Sequence, residues 1–446
     1  MQKPPPTSLV AAPPAAAWPD GITPTDEYQT ALDFLADAGE GHLFVTGRAG
    51  TGKSTLLRAL QGALDAEIVV VAPTGLAAVN VGGQTIHSFF GLPPRLLRSD
   101  DIRRSRNGQV MRKLDFLVID EVSMVRSDLM WAIDQSLRIN RGRPREPFGG
   151  VRLVLFGDLH QLPPVVQEAE VATHLEQEFG GPFFFSVPAL AEGPGTARLE
   201  LTQVFRQSDE ALISVLNRIR DGEVDEDDLT QLNERVAPIR TLGEGEKFVI
   251  LTPTNAAAHR INAAYLDALP GTAHTYEAGI TGDFTNASHP TDSALTLKPG
   301  AKVILLRNDP ERRWVNGTIA RISRLEDKKV MIEVAGREHE LEPVSWEQRR
   351  YAYDKEQEKI VGTVAGTFKQ YPVRLAWALT IHKAQGLTLD NVYIDLGRGT
   401  FAHGQAYVAL SRCRSLEGLA LARPLTPRDI LFDRSALGYR ERFPAL

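Results

Sequence analysis

The stretch HLFVTGRAGTGKSTLLRAL, residues 42–60, decides the fold class of this chain of 446 residues. An apolar run, a glycine-rich turn and a helical pattern follow one another, which predicts a strand, a loop and a helix. The turn matches the P-loop pattern, whose glycines let backbone N–H groups surround phosphates beside a helix N-terminus. Lys53 is expected at the β- and γ-phosphates of ATP and Ser54 on Mg²⁺. The predicted phosphate-binding residues are Gly47, Ala49, Gly50, Thr51, Gly52, Lys53, Ser54 and Thr55.

Three further apolar runs in this part of the chain end in polar or small residues. They are EIVVVAPT at 67–74, DFLVIDE at 115–121 and VRLVLFGD at 151–158. Such runs are typical of buried parallel strands, and an open α/β sheet places its ligand crevice at the carboxyl ends of its strands. We predict one nucleotide-binding domain over 23–195, preceded by a disordered tail at 1–22.

Two acids end the run at 115–121, and a glutamine follows the run at 151–158. Asp120 is placed to bind Mg²⁺, and Glu121 to orient and deprotonate the attacking water. Gln161, within GDLHQLPP at 157–164, is an uncharged amide suited to contacting the γ-phosphate or that water. An acidic pair or a loop glutamine alone is usually a surface feature, but the upstream P-loop favours catalytic roles.

The strand pattern restarts after residue 195 and predicts a second α/β domain over 196–300 and 371–446. One of its strands is KFVILTPT at 247–254. Between 301 and 370 short alternating segments with glycines predict antiparallel β structure. We therefore expect a small β-barrel inserted into the second domain.

Two arginines of the second α/β region are candidates for contacting the γ-phosphate. They are Arg206 in VFRQ and Arg412 in VALSRCRS. If the two domains face each other across the nucleotide, both guanidinium groups can stabilise the charge that develops during hydrolysis. Most arginines form surface ion pairs, so these roles depend on that domain arrangement.

Hydroxyl groups, amides and helix N-termini suit the phosphates of a nucleic acid, and three segments of the sequence carry them. The segments are APTGLAAVNVGGQTIHSFFG, LTPTN and LTIHKAQG. An aromatic side chain can stack on a base, although core packing is the stronger interpretation for Phe89 and Phe90. The predicted DNA-binding residues are Thr74, Gly75, Asn80, His87, Thr252, Thr254, Asn255, Thr380, His382, Lys383 and Gln385.

The composition is that of an ordinary globular protein, with 43% hydrophobic and 24% charged residues. No apolar run reaches the roughly 18 residues of a membrane span, so no membrane association is expected. Because the net charge is −6, nucleic acid must bind in a local basic channel. The basic segment 95–113 is either a solvated loop or a strand-separating wedge. The single cysteine, Cys413, excludes an intrachain disulfide and fits a reducing compartment.

These motifs in this order resemble the Pif-type branch of the superfamily 1 helicases, close relatives of the RecD-type enzymes. The resemblance runs from about residue 23 to residue 446. It implies an α/β fold of two RecA-like domains with ATP and Mg²⁺ between them, a wedge at about 92–113 and an SH3-like β-barrel in the second domain. It also implies 5′-to-3′ movement on single-stranded DNA and an adenine contact by Gln29. The motifs concerned are GRAGTGKST, APTGLAAVNVGGQTIHSFFG, IDEVSM, FGDLHQLPPV, VFRQ, LTPTN, WVNG, LTIHKAQG and YVALSR.

The resemblance further implies single-stranded DNA and junctions between duplex and single strands as partners. Forks, R-loops and G-quadruplexes are the expected substrates, in replication, recombination or repair. We expect a compact, bacterial-type, cytoplasmic protein associated with the nucleoid and monomeric in solution.

Two alternatives remain open. A P-loop phosphotransferase acting on a small molecule would need neither the second α/β domain nor Arg412. A non-catalytic DNA-binding scaffold would keep the fold without turnover, although every catalytic position is filled. Stimulation of ATP hydrolysis by single-stranded DNA distinguishes a helicase from both.

Overall fold

The computed structural model describes residues 24–37, 41–48, 50–166, 168–203, 209–239, 241–284 and 288–446. The predicted tail at 1–22 and the predicted site residues Ala49 and Arg206 lie outside the described residues. Within the described parts, none of the helices combines the length and the apolar character needed to span a membrane.

Strands and helices alternate in the amino-terminal and carboxyl-terminal parts of the chain, and strands dominate between them. The strands are β1 (His42–Gly47), β2 (Ile68–Ala72), β3 (Gln84–Thr85), β4 (Phe116–Ile119), β5 (Arg152–Phe156), β6 (Thr196–Leu201), β7 (Val249–Thr252), β8 (His274–Glu277), β9 (Gly279–Gly282), β10 (Ala294–Leu297), β11 (Lys302–Leu305), β12 (Ile319–Glu326), β13 (Lys329–Val334), β14 (Arg337–Leu341), β15 (Val344–Asp354), β16 (Lys359–Gln370), β17 (Val373–Leu375), β18 (Ala378–Thr380), β19 (Val392–Ile394) and β20 (Leu419–Leu421). The helices are α1 (Asp26–Ala36), α2 (Lys53–Ala63), α3 (Gly75–Asn80), α4 (Ile86–Phe90), α5 (Gly108–Lys113), α6 (Ser127–Arg141), α7 (Ala169–Phe179), α8 (Glu210–Asp221), α9 (Glu226–Asn233), α10 (Leu242–Gly245), α11 (Asn255–Ala268), α12 (Ile381–Ala384), α13 (Gln405–Leu410) and α14 (Tyr439–Arg442).

A parallel sheet in the order β3-β2-β4-β5-β1-β6 forms the first lobe together with helices α1–α7. Because successive side chains of a strand point to opposite faces, alternate residues enter two different cores. Phe44 lies in the core on one face, and Leu43 and Val45 lie in the core on the other. Strands β1, β2, β4 and β5 coincide with the apolar runs of the sequence, which confirms a mixed α/β fold with a parallel sheet.

Strand β6 corrects the domain boundary that the sequence places after residue 195. The segment from 196 was expected to open the second domain, but β6 pairs with β1 along its length, from His42 opposite Thr196 to Gly47 opposite Leu201. The residues of a strand do not identify its partner, because pairing depends on tertiary context. The first lobe therefore continues through β6.

A second parallel sheet, in the order β18-β7-β19-β20, forms the second lobe with helices α8, α9, α11, α12 and α13. Its two faces also enter different cores: Leu251 lies in one, and Ile250 and Tyr393 lie in the other. The carboxyl ends of β7 and β18 are in register, with Thr252 opposite Thr380. Both lobes thus have the strand-edge geometry on which α/β proteins bind ligands.

Antiparallel strands occupy the chain between β7 and β18. They form a sheet in the order β14-β13-β12-β11-β17, a sheet in the order β15-β16-β9, and the pair β10-β8. The antiparallel structure expected at 301–370 is present, and it extends from His274 to Leu375.

The hairpin β15-β16 packs on the first lobe. The Tyr351 hydroxyl accepts a hydrogen bond from the Val70 amide of β2 at 3.2 Å. The Ile360 amide donates to the Glu67 carboxylate at 2.6 Å. The Tyr351 ring also meets the Phe89 ring edge-on, with centroids 6.1 Å apart. The antiparallel insertion therefore contacts the first lobe as well as the second.

After β20 the chain returns to the first lobe. Tyr439 and Phe443 meet the Phe44 ring edge-on, with centroid distances of 5.5 and 5.9 Å. The Arg198 amide of β6 donates to the Pro444 carbonyl at 2.7 Å. Residues near 440 therefore complete a core whose other members lie mainly in the amino-terminal half of the chain.

Candidate nucleotide site and nucleic-acid interface

The P-loop follows β1 and leads directly into α2, as the sequence predicts. Gly50 and Gly52 have φ angles of 84° and 87°, a backbone region that favours glycine. Lys53 donates from Nζ to the backbone oxygens of Gly47 and Arg48 at 2.7 and 3.0 Å. The loop therefore has the tight geometry in which backbone amides can surround a phosphate.

Helix α1 lies against the P-loop. The Tyr28 hydroxyl donates to the Gly52 carbonyl at 2.9 Å. The next residue, Gln29, donates from its amide to the Asp33 carboxylate at 2.8 Å, one turn along the same helix. Gln29 thus lies on the helix beside the P-loop, and its adenine contact stays a prediction.

Asp120 and Glu121 follow β4 at the carboxyl edge of the first sheet. Burial raises the pKa of Asp120. Burial, together with the carboxylates of Asp120 and Asp158, raises the pKa of Glu121 to about 7, although Lys53 and Arg412 act in the opposite direction. The Lys53 ammonium therefore lies close enough to influence both acids, as a shared nucleotide site requires.

Gln161 lies in the loop at 157–164, which we call the sensor loop. Its Nε2 donates to Asp158 Oδ2 at 2.9 Å, and its Oε1 accepts from Gln385 Nε2 at 3.0 Å. Gln385 Nε2 also donates to Glu121 Oε2 at 3.2 Å. The sequence predicts that Gln385 contacts DNA, and in the structure its side chain bonds to Glu121 and Gln161, the two residues predicted to act in hydrolysis. The motif indicates a turn there and not the direction in which each side chain points.

Arg412 lies on the side of the site that the second lobe forms. Its side chain is fully buried, and it donates to the backbone oxygens of Val408 at 2.9 Å and Leu387 at 3.2 Å. Its charge acts on Glu121, whose pKa it lowers. The structure therefore brings Arg412 into electrostatic range of the site. Arg206, the other predicted arginine, lies outside the described residues, so its role stays a prediction.

Arg220 of α8 is a buried charged residue that the sequence reasoning missed. Its side chain is 4% exposed, and its guanidinium pairs with Glu200 of β6 at 3.0 Å. Burial alone would raise the pKa of Asp158, but Arg220 and other nearby groups lower it. The Arg220 carbonyl accepts a hydrogen bond from His160 Nδ1 at 2.6 Å. No local motif marks Arg220, so only the folded arrangement reveals it.

Three of the predicted DNA-binding threonines cap helices. The hydroxyls of Thr74, Thr254 and Thr380 accept hydrogen bonds from the backbone amides three residues on, at 3.2, 3.3 and 3.2 Å. Their helices α3, α11 and α12 begin at or just beyond the ends of β2, β7 and β18. Thr252 and Thr380 are each only 3% exposed, so their side chains are buried in this arrangement of the lobes.

The other predicted DNA contacts differ in exposure. The exposed ones are Asn80, Asn255 and Lys383, and the partly buried ones are Gly75, His87 and His382. Phe89 and Phe90 are 0% and 3% exposed and lie in the first-lobe core. The core interpretation of these two rings is confirmed.

The basic segment 95–113 lies on the first lobe and presents its charges to solvent. Leu97 anchors it in the first-lobe core, and Arg95 pairs with Asp101 at 2.5 Å. A role as a strand-separating wedge stays a prediction. The exposed basic residues are Arg95, Arg98, Arg103, Arg104, Arg106, Arg112 and Lys113.

Comparisons with known proteins agree on one family. The profile of a family described as PIF1-like helicase matches residues 25–230. The ATP-dependent DNA helicase Pif1 of Bdellovibrio bacteriovorus is 34% identical over 432 residues, covering 94% of this chain and 92% of that protein. The ATP-dependent DNA helicase PIF1 of Xenopus laevis is 35% identical over 397 residues. That match covers 85% of this chain but only 58% of the Xenopus protein.

Two solved structures of Pif1 from Bacteroides are also similar to this chain. The unliganded structure matches with a TM-score of 0.86 and 36% identity, covering 94% of this chain and 97% of that chain. The structure bound to single-stranded DNA has the same identity and coverage but a TM-score of 0.66. Because identity and coverage are equal, the lower score reflects a different arrangement of the parts of that relative.

Proposed function

Because this chain belongs to the PIF1-like helicase family, we infer that it is an ATP-dependent DNA helicase. We propose that it moves along single-stranded DNA in the 5′-to-3′ direction and separates the duplex ahead of it. The direction is proposed from the resemblance of the motifs. One observation carries the proposed link between hydrolysis and movement: Gln385 of the second lobe bonds to Glu121 of the first lobe and to Gln161 of the sensor loop. Glu121 and Gln161, which we propose act in hydrolysis, therefore lie where the two lobes meet.

We propose that ATP is held in the P-loop and Mg²⁺ by Ser54 and Asp120. The Ser54 hydroxyl is exposed at the start of α2, and the Asp120 carboxylate follows β4. Both supply oxygen ligands, which Mg²⁺ prefers. Burial raises the pKa of Asp120, so a cation beside it would stabilise its ionised form. The residues thus fit the ion, which would neutralise charge on the β- and γ-phosphates.

In the proposed hydrolysis, Glu121 orients the attacking water and accepts its proton. A carboxylate with a pKa of about 7 is matched to this task near neutral pH. Gln161 contacts the γ-phosphate or the water, while Arg412 and the predicted Arg206 stabilise charge on the transferring group. Because these groups come from both lobes, hydrolysis is coupled to closure and opening of the cleft.

We propose that the capped ends of α3, α11 and α12 track the DNA backbone, and that the basic segment 95–113 acts as the wedge. The two lobes correspond to RecA-like domains, and the antiparallel strands between β7 and β18 to an SH3-like barrel. Helix N-termini at strand ends suit phosphate contacts, which supports the first assignment. ATP-driven closure would then slide one lobe along the strand while the other holds it.

We further propose a cellular setting from the relatives. The partners would be single-stranded DNA and its junctions with duplex, including forks, R-loops and G-quadruplexes. One Bacteroides Pif1 structure is described as bound to single-stranded DNA, which supports the first of these. The protein would act as a monomer in the cytoplasm, in association with a bacterial nucleoid, since one relative is bacterial.

A strand-displacement assay tests activity and direction together. Duplexes with a 5′ tail should be unwound in the presence of ATP and Mg²⁺, and duplexes with a 3′ tail should not. Lys53→Ala, which removes the phosphate-binding ammonium, should abolish both unwinding and DNA-stimulated ATP hydrolysis. A preference for 3′ tails would overturn the proposed direction, and ATP hydrolysis indifferent to single-stranded DNA would overturn the proposed coupling.

A further inference from the structure

The sensor loop leaves the first sheet after β5 and keeps Leu159 in the first-lobe core, but the residues that follow contact the second lobe. Leu162 is 1% exposed and lies in a second-lobe core. The His403 ring donates from Nε2 to the Leu159 carbonyl at 3.1 Å, and it accepts from the Asp433 amide at Nδ1. Gly404 lies so close that a Cβ there would be 2.3 Å from the Gln161 carbonyl. Gln161 should therefore move with the second lobe.

Gln385 joins this loop to the catalytic acid of the first lobe. Its Nε2 carries two hydrogens and faces two acceptors, Gln161 Oε1 at 3.0 Å and Glu121 Oε2 at 3.2 Å. The opposite orientation of the amide would place its oxygen against two other oxygens. The donor arrangement is thus the one that electrostatics favours.

The same short turn also carries residues predicted to contact DNA. Helix α12 spans Ile381–Ala384, and Gln385 is its C-cap. Lys383 is exposed to solvent, whereas the Gln385 side chain enters the site between the lobes. The same turn therefore presents Lys383, which can contact a DNA phosphate, and Gln385, which bonds to Glu121.

We propose that Gln385 is a positioning residue that orients the Glu121 carboxylate and passes movement of α12 on DNA to the hydrolytic site. This proposal deepens the proposed helicase function and rests on it. Gln385 fixes one oxygen of Glu121, which leaves the other for the attacking water. A DNA strand that shifts α12 would thereby reset the angle at which Glu121 meets the water.

The experiment compares Gln385→Leu with Lys383→Ala. Both variants lie in the same turn, but the first should change the rate of hydrolysis and the second the affinity for DNA. Three quantities are measured for each: kcat for ATP at saturating oligo-dT, KM for ATP, and Kd for oligo-dT. For Gln385→Leu we expect kcat to fall between about tenfold and a hundredfold, because a displaced catalytic group costs rate. KM and Kd should stay within about twofold of the wild type. For Lys383→Ala the main effect should be a raised Kd.

A second variant covers the case in which Gln385→Leu fails to fold. Gln385→Glu keeps the size of the side chain but faces the Glu121 carboxylate with a like charge and no donor, so kcat should fall at least as far. Retention of wild-type kcat by either folded variant would overturn the proposal. A raised Kd with unchanged kcat would also overturn it, because Gln385 would then be a DNA contact.

The wild-type protein separates failure of this inference from failure of the proposed function. If its ATP hydrolysis does not respond to oligo-dT, the proposed function fails. If it responds and Gln385→Leu responds equally, only the role of Gln385 fails.

Discussion

Glu121 adopts a backbone conformation that residues other than glycine rarely take. Its φ and ψ angles are 50° and 42°, in the left-handed region. Such a conformation costs on the order of 1 kcal/mol or more and persists only where the surroundings impose it. Glu121 comes directly after Asp120, between the end of β4 and the turn that follows. In this conformation the Glu121 carboxylate accepts a hydrogen bond from Gln385 Nε2 at 3.2 Å.

His42 lies at the opposite end of the same sheet. Protonation of its ring destabilises the folded state. Its Nδ1 accepts a hydrogen bond from the Leu153 amide at 3.1 Å. Burial, with a contribution from the Arg152 charge, lowers the pKa of His42 to about 4 from its usual 6.5. The folded protein therefore binds a proton at this site more weakly than the unfolded chain does.

We predict that His42 makes the protein less stable as the pH falls. Its contribution is fully present above the unfolded pKa near 6.5, and it is lost as the pH falls through 6.5 toward 4. The total loss is about 3 kcal/mol. His42→Asn keeps an acceptor but does not titrate, so its free energy of unfolding should depend less steeply on pH across this window. Urea unfolding between pH 7.5 and 4.5 measures the difference. The exposed His259→Asn serves as the control, and equal slopes for His42→Asn and the wild type would contradict the prediction.

At the scale of elements, the contact between the sensor loop and the start of α13 couples the lobes. Gly404, the N-cap of α13, has a φ angle of 71°. A Cβ there would lie 2.3 and 2.5 Å from the carbonyl oxygens of Gln161 and His160. These are backbone atoms, so the loop as a whole would have to shift to make room for a side chain.

We predict that Gly404→Ala lowers DNA-stimulated kcat by at least about tenfold, because it displaces Gln161 from the catalytic site. Gly397→Ala is the matched control: Gly397 has a φ angle of 57°, but a Cβ there would meet nothing within 4 Å. Both variants carry the cost of a left-handed alanine, about 1 kcal/mol, and only Gly404→Ala should disturb the loop. Thermal melts and steady-state ATP hydrolysis test this. Equal kcat values for the two variants would refute it.

The elements that could be predicted from sequence alone share one property. Each is indicated by a local pattern in its own residues. Strands β1, β2, β4 and β5 are continuous apolar runs next to turn residues, and α2 follows a glycine-rich loop. The sequence assigned β6 to the wrong lobe, because a strand does not specify its partner. It did not predict the bonds from Gln385 to Glu121 and Gln161, and it missed Arg220, because neither the direction of a side chain nor a contact between distant segments has a local signature.

At the scale of the whole molecule, the hairpin β15-β16 holds the insertion against the first lobe. The Bacteroides relative scores 0.86 against this chain when unliganded and 0.66 when bound to single-stranded DNA. This chain therefore has the arrangement of the unliganded relative. Contacts that exist only in that arrangement oppose DNA binding, because binding must supply the free energy to break them.

We predict that the hydrogen bond between Tyr351 and Val70 is one of these contacts, and that Tyr351→Phe therefore binds single-stranded DNA more tightly than the wild type. The variant lacks the hydroxyl that accepts from the Val70 amide at 3.2 Å, a bond worth about 1 kcal/mol. The expected decrease in Kd is about fivefold. Fluorescence anisotropy with labelled oligo-dT measures it. Thr363→Val, on the same hairpin but bonded within it to the Arg350 carbonyl, should leave Kd unchanged. An unchanged or raised Kd for Tyr351→Phe would show that this contact does not oppose DNA binding.

The return of α14 to the first lobe has a consequence for biosynthesis. Phe44 leaves the ribosome long before Tyr439 and Phe443, whose rings contact it. A nascent chain therefore exposes part of its amino-terminal core until α14 has been translated. During that interval the half-made protein offers chaperones an apolar surface that the finished molecule hides.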